Sequence, residues 1–160
     1  MTVGIVGLGL IGASMAKTVK KHTDFAVMGY DISKSVMESA MLDGTIDGVL
    51  DLEREKCDIV VVALYPDDII EFVKSHAEFL EDTIVIDCGG TKTKVCRELF
   101  PVAKENGFTF IGGHPMAGIE KSGYDFSTDS LFDGAFMIMV PDEDTDRKTL
   151  FTEEYVSKMD

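Results

Sequence analysis

The chain has 160 residues, 45% of them hydrophobic and 28% charged, which excludes a disordered segment and suffices for one domain with its own core. Its 15 basic and 29 acidic residues give a formal charge of -14, which repels nucleic acid and anionic membranes alike, so neither is an expected partner. No apolar run approaches the ~20 residues of a membrane span, and the opening MTVGIVGLG lacks the basic flank of a secretory signal.

Residues 3–6 form a short apolar run suited to a buried strand. Ile11, Met15 and Val19 then recur at the spacing of one helical stripe. Residues 25–30 read as a second strand. Ser33 can cap a helix with Val36, Met37, Ala40 and Met41 on one face. Residues 43–57 are ambiguous, a turn with a short helix or strand. Residues 59–64 are continuously apolar, as in a parallel strand buried on both sides. Asp67 or Asp68 opens a helix carrying Ile69, Val73, Ala77 and Leu80 on one side. Residues 83–86 are a strand, and Thr91 begins a helix that Pro101 should end or kink. Two more strands follow at 108–111 and 135–140. Alternating strands and helices predict an α/β fold, a Rossmann-type doubly wound, mostly parallel sheet with helices on both faces. Residues 1–145 make one domain. Residues 146–160 read as the start of a helical segment cut short, exposing Leu150, Phe151, Tyr155 and Val156.

Gly7-Leu8-Gly9-Leu10-Ile11-Gly12 is a GxGxxG motif between the first strand and the first helix. Gly7 permits the tight turn, Gly9 lets the backbone approach a pyrophosphate, and Gly12 lets helix and strand pack closely. The helix start, Leu10 and Ile11 included, offers free N–H groups and partial positive charge, a local anion site on a strongly negative protein. Asp31 follows at the expected ~20-residue spacing, at the end of the second strand. Its carboxylate can accept hydrogen bonds from an adenosine ribose and would repel a 2′-phosphate. NAD is therefore favoured over NADP, and residues 1–145 are expected to be an NAD-binding domain. Leu64-Tyr65-Pro66 ends the third strand, positioned to line the nicotinamide ribose; a plain strand-to-helix turn accounts for it equally well.

His22 and His76 fall among polar residues on predicted helices and read as surface groups. His114 differs, since Gly112-Gly113-His114-Pro115 places it at the carboxyl end of a strand, with room around the ring. Histidine suits proton transfer near neutral pH. Asp87-Cys88-Gly89-Gly90-Thr91-Lys92 makes another carboxyl-edge turn. Its N–H groups, the Thr91 hydroxyl and Lys92 can meet an anionic substrate; a simple helix cap by Thr91 is the competing explanation. Cys57, Cys88 and Cys96 are odd in number without CxxC spacing, so neither a disulfide framework nor a zinc site follows, and reduced thiols in the cytoplasm are expected.

Taken together, GLGLIG, the strand-end aspartate, DCGGTK, GGHPMAGIEKSG and LFDGAFMIMVP resemble prephenate dehydrogenase, over residues 3 to about 145. The resemblance implies oxidative decarboxylation of prephenate to 4-hydroxyphenylpyruvate in tyrosine synthesis, with arogenate as the alternative substrate. It makes His114 the acceptor of the ring-hydroxyl proton. It assigns Glu120 to the active-site entrance; Gly89, in the DCGGTK turn, is expected to contact the cofactor. The family usually has Ser at the position of Gly90, so Thr91 is the candidate replacement. Family members continue into a helical domain that dimerises and supplies an Arg for the substrate carboxylate. The 160 residues are expected to stop before that domain, and Arg54, Arg97 and Arg147 match no such motif. Two other readings stand beside this one. They are a Rossmann-type dehydrogenase of another hydroxy acid, and an NAD-binding module without turnover.

Overall fold

A computed structural model describes residues 1–144. The expected helical start at 146–160, with Leu150, Phe151, Tyr155 and Val156, lies outside the described residues. The described elements are β1 (Thr2–Val6), α1 (Leu10–His22), β2 (Ala26–Tyr30), α2 (Lys34–Leu42), β3 (Gly48–Val49), β4 (Ile59–Val62), α3 (Pro66–Ser75), β5 (Ile84–Asp87), α4 (Thr93–Asn106), β6 (Thr109–Pro115) and β7 (Met137–Pro141). They form one sheet in the order β3-β2-β1-β4-β5-β6-β7. All neighbours pair in parallel except β6 and β7, which run antiparallel.

The central strands are apolar on both faces because both faces are covered. Val60 and Val62 of β4 join Ile69 and Val73 of α3 and Val95 and Leu99 of α4 in one core cluster. Val61, one pleat away, joins Ile5, Val27, Ala13, Ala16 and Ala40 in the other, under α1 and α2. This is the Rossmann-type arrangement expected from the sequence.

Local readings needed revision at five places. The buried face of α1 is Leu10, Gly12, Ala13, Ser14 and Ala16, whereas Ile11, Met15 and Val19 are half-buried. Small residues win there because α1 lies close against the sheet. In α2, Ser33 caps as expected by accepting from the Val36 N–H at 3.4 Å, but Met41 is exposed. Ala77 and Leu80 are buried beyond the end of α3, in and after a 3₁₀ turn at Ala77–Phe79. The helix α4 starts at Thr93 with Lys92 as its N-cap, two residues later than expected, and continues through Pro101 to Asn106. Pro101 is exposed, so its missing N–H falls on the solvent side while Val95, Leu99 and Ala103 anchor the opposite face. Finally, β6 reaches Pro115 because antiparallel β7 extends its pairing, with His114 opposite Ile138. The ambiguous stretch resolves into the two-residue strand β3 and a turn.

The long connection between β6 and β7 is tied down on α1 and the end of α2. Buried Tyr124 donates its hydroxyl to Asp43 Oδ2 at 2.7 Å and lies 2.8 Å from the Thr45 hydroxyl. Lys17 donates to Ser127 Oγ at 2.9 Å, and the Thr128 N–H donates to buried Ser14 Oγ at 3.0 Å. Burial works against the Asp43 carboxylate, yet hydrogen bonds from Thr45 and Tyr124 outweigh it and hold the carboxyl below its usual range.

Candidate active site

The sheet order reverses between β1 and β4, and in such folds ligands occupy the crevice outside the carboxyl ends of the strands at this point. The glycine loop leaves β1 there. Gly7 has φ +85°, and a Cβ on it would stand 2.6 Å from the Ala63 carbonyl oxygen. A Cβ on Gly12 would drive into the Gly7 carbonyl oxygen. These two glycines are therefore required by the packing of loop, helix and β4. Gly9 is different. It is the N-cap of α1, no side chain caps it, and a Cβ there would meet nothing within 4 Å. Open space thus faces the start of α1, where the N–H groups of Leu10 and Ile11 begin the helix without partners in a preceding turn. The residues present fit a pyrophosphate at that position.

Asp31 holds the far side of the loop. One carboxylate oxygen accepts from the Leu8 N–H and the other from the Ser33 N–H, both at 2.8 Å. A carboxylate has about four acceptor sites, so capacity is left for ribose hydroxyls. Leu64 packs against Gly7, and Pro66 is the first residue of α3. Ile32 after β2 and Tyr65 after β4 are 88% and 83% exposed on either side of the loop. Tyr65 belongs to the Leu64-Tyr65-Pro66 turn singled out in the sequence, whereas Ile32 was given no role there.

Three strand spacings away, roughly 14 Å across the sheet edge, β6 presents His114. Its Nδ1 lies 3.1 Å from the Gly89 carbonyl oxygen. A carbonyl can only accept, so Nδ1 carries the hydrogen and the neutral ring keeps its lone pair on Nε2. The ring is partly exposed and able to take a proton at that atom. Thus Gly89 and His114, chosen separately from the sequence, belong to one unit. Thr91 and Gly90 are exposed in the turn before α4. Glu120 is exposed in the loop after β6, and among the described residues no contact ties it to His114.

Lys92 corrects the sequence reading. Instead of facing an incoming anion, it turns inward to form an ion pair with fully buried Asp87 and donates to the Gly113 carbonyl at 2.6 Å. Asp87 also accepts from the Gly89 N–H at 2.9 Å and the Gly113 N–H at 3.0 Å. The sequence shows both charges but not that they meet, since only the turn through residues 88–91 brings them together. Burial pushes the neighbouring Cys88 thiol up to about 12, with the Asp87 charge adding to it, so this cysteine is protonated and not a nucleophile near neutral pH.

A family model described as the prephenate dehydrogenase nucleotide-binding domain matches residues 15–158. The chain belongs to the prephenate dehydrogenase family. Prephenate dehydrogenase of Lactococcus lactis subsp. cremoris is 36% identical over 154 residues, covering 91% of this chain and 42% of the relative. A crystal structure of prephenate dehydrogenase from Aquifex aeolicus has a TM-score of 0.85 at 33% identity, over 96% of this chain and 56% of that one. The A. aeolicus enzyme in complex with hydroxyphenyl propionate and NAD+ gives a TM-score of 0.79 at 31% identity, over 98% and 56%. The chain therefore spans about half the length of the relatives it matches, and the matching part of the family is its nucleotide-binding domain. Among the described residues no helix is long and apolar enough to cross a membrane.

Proposed function

We propose that this chain is the nucleotide-binding part of an NAD-dependent prephenate dehydrogenase, with residues 1–145 as the binding domain. The observation that carries the reading is His114, at the crevice edge, with Nδ1–H committed to Gly89 and Nε2 without a hydrogen-bond partner among the described residues. The Gly7–Gly12 loop and the start of α1 hold the pyrophosphate, Asp31 binds the adenosine ribose and disfavours a 2′-phosphate, and Leu64 and Pro66 line the nicotinamide ribose. When bound, NAD+ accepts the hydride leaving C4 of the prephenate ring. His114 Nε2 takes the proton of the C4 hydroxyl as its oxygen becomes a carbonyl, while the C1 carboxylate departs as CO2. The electron pair of the broken C1–carboxylate bond passes through the ring to that oxygen, giving the aromatic phenolate, which regains the proton from His114 as the 4-hydroxyphenyl product. Thr91 stands in for the family's serine at the position of Gly90, and Glu120 shapes the entrance.

Lys92 is engaged by Asp87, so the substrate carboxylates are assigned to the part of the longer relatives that this chain does not span. A homodimer built through that part, with prephenate or arogenate as substrate, completes the proposal. The three free cysteines suit a reducing cytoplasm.

The test is NADH formation from prephenate and NAD+, read by absorbance, with His114→Asn beside the parent. The variant should bind NAD+ as the parent does and lose a factor of ~10² or more in turnover, the contribution of a positioned general base. Equal turnover in the variant would remove His114 from the chemistry. NAD+ binding without turnover in the parent would favour the module that binds cofactor only.

A further inference from the structure

The buried Asp87–Lys92 pair holds the backbone on both sides of the candidate base. Asp87 ends β5 and is wholly buried. It takes the N–H of Gly89, whose carbonyl receives the His114 ring, and the N–H of Gly113, the residue before His114. Lys92 takes the carbonyl of the same Gly113. A side chain at Gly113 would collide with the backbone carbonyl of Asp87, so β6 can lie this close only with glycine there. The turn that receives the His114 ring and the strand residue before His114 are thus both held by one ion pair.

We infer that Asp87 and Lys92 are positioning residues that set the tautomer and proton affinity of His114 through Gly89 and Gly113. The inference rests on the reading of His114 as the proton acceptor. A hydrogen-bonded neutral pair would fix the same backbone, but two opposite charges beside an ionisable ring also act on it electrostatically. The Asp87 carboxylate favours an imidazolium and the Lys92 ammonium opposes it. Other groups facing the ring contribute less. The Cys88 thiol is neutral. Met137, Ile138 and Met139 of β7 carry no charge. Glu120 and Lys121 are exposed to solvent in the loop after β6.

The experiment is ¹⁵N and ¹H NMR titration of the His114 ring in the 160-residue chain, as parent, Asp87→Asn, Lys92→Met and Lys92→Arg. In the parent, the neutral ring should show Nδ1 protonated. Asp87→Asn should lower the titration midpoint on the order of 1 pH unit, because Lys92 is left unopposed. Lys92→Met should raise it by a similar amount, because the Asp87 carboxylate is then left unopposed. Lys92→Arg should return it toward the parent. Shifts of the same sign, or none in variants whose circular dichroism is native, would overturn the inference. If Asp87→Asn does not fold, the Met and Arg variants at Lys92 carry the test alone, and a Met variant titrating like the parent refutes it. No substrate is needed for this measurement. Failure of prephenate turnover would therefore sink the proposed function and leave the ring titration standing, and the reverse holds as well.

Discussion

The contrast between Gly9 and Gly12 gives the sharpest test of the crevice as a nucleotide site. Both are glycines of one motif, yet the space around them differs. A methyl at Gly12 meets the Gly7 carbonyl, which is backbone and cannot swing away. Gly12→Ala should therefore cost about 3 kcal/mol, the upper range for overpacking, or unfold the chain. At Gly9 φ is -75°, open to any residue, and an added methyl touches no protein atom within 4 Å. Alanine is a poorer N-cap than glycine by about 1 kcal/mol, but it also reduces the freedom of the unfolded chain by about 0.4–1 kcal/mol. The two nearly cancel, so Gly9→Ala should melt within about 4 °C of the parent. That methyl nevertheless enters the space assigned to the pyrophosphate, and NAD+ affinity should fall at least ~10-fold, a change of about 1.4 kcal/mol. Differential scanning calorimetry gives the first quantity and titration calorimetry the second. Parent-like NAD+ affinity in a folded Gly9→Ala chain would show that the open space at α1 is not the pyrophosphate site.

Asp31→Ala should weaken NAD+ and narrow its advantage over NADP+, measured by titration of both; a parent chain that already prefers NADP+ would refute the role given to Asp31. Tyr124→Phe removes a hydrogen bond to a carboxylate, a class contributing about 1.5–3 kcal/mol; because Asp43 is exposed and can rehydrate, the loss should sit at the low end, lowering Tm by about 3–6 °C. The Asp43 carboxyl is held below its usual value in the folded chain, so its contribution is present above the unfolded pKa near ~3.9 and is lost as pH falls through the lower folded value. Acid unfolding followed by circular dichroism should consequently shift less with pH in Asp43→Asn than in the parent. NAD+ affinity should hold or rise as salt approaches ~0.15 M, because screening relieves repulsion from the acidic surface; a steep fall would mean that lysines, not backbone amides, hold the phosphates.

The sheet was legible because residues 3–6, 59–64 and 83–86 are short, largely apolar runs separated by helix-length segments, and buried parallel strands leave that imprint. The placement of Gly7, Gly9, Gly12 and Asp31 around one loop was legible because local spacing sets it. The α1 stripe was misjudged since hydrophobic size is a poor guide where a helix lies close against a sheet, as Gly12, Ala13 and Ala16 do here. What sequence could not reach were contacts closing over long separations. The Tyr124–Asp43 bond spans 81 residues, and the His114–Gly89 bond spans 25. Lys92 lies only five residues from Asp87, but its inward course depends on β6 being there to offer the Gly113 carbonyl.

That inward lysine also bears on how an acidic protein can hold an anion. Lys20 and Lys21 stand in the last turn of α1 and pair with Asp47 and Asp129. They stand ten and eleven residues past Leu10, about 15–17 Å along the axis, so they lie about two Debye lengths of ~8 Å from its N-terminus. They complement the negative end of the helix dipole and add little at the positive end. Lys92, the other cation the motifs offered, is neutralised in place by Asp87. The crevice is therefore positive through oriented backbone N–H groups, which need room and close approach more than charged side chains. This explains why glycines mark the site in a chain of charge -14. It also separates two tasks within one edge of the sheet. In the proposed assignment uncharged backbone receives the nucleotide, while an ion pair with a fully buried carboxylate holds the turn and strand that carry the histidine.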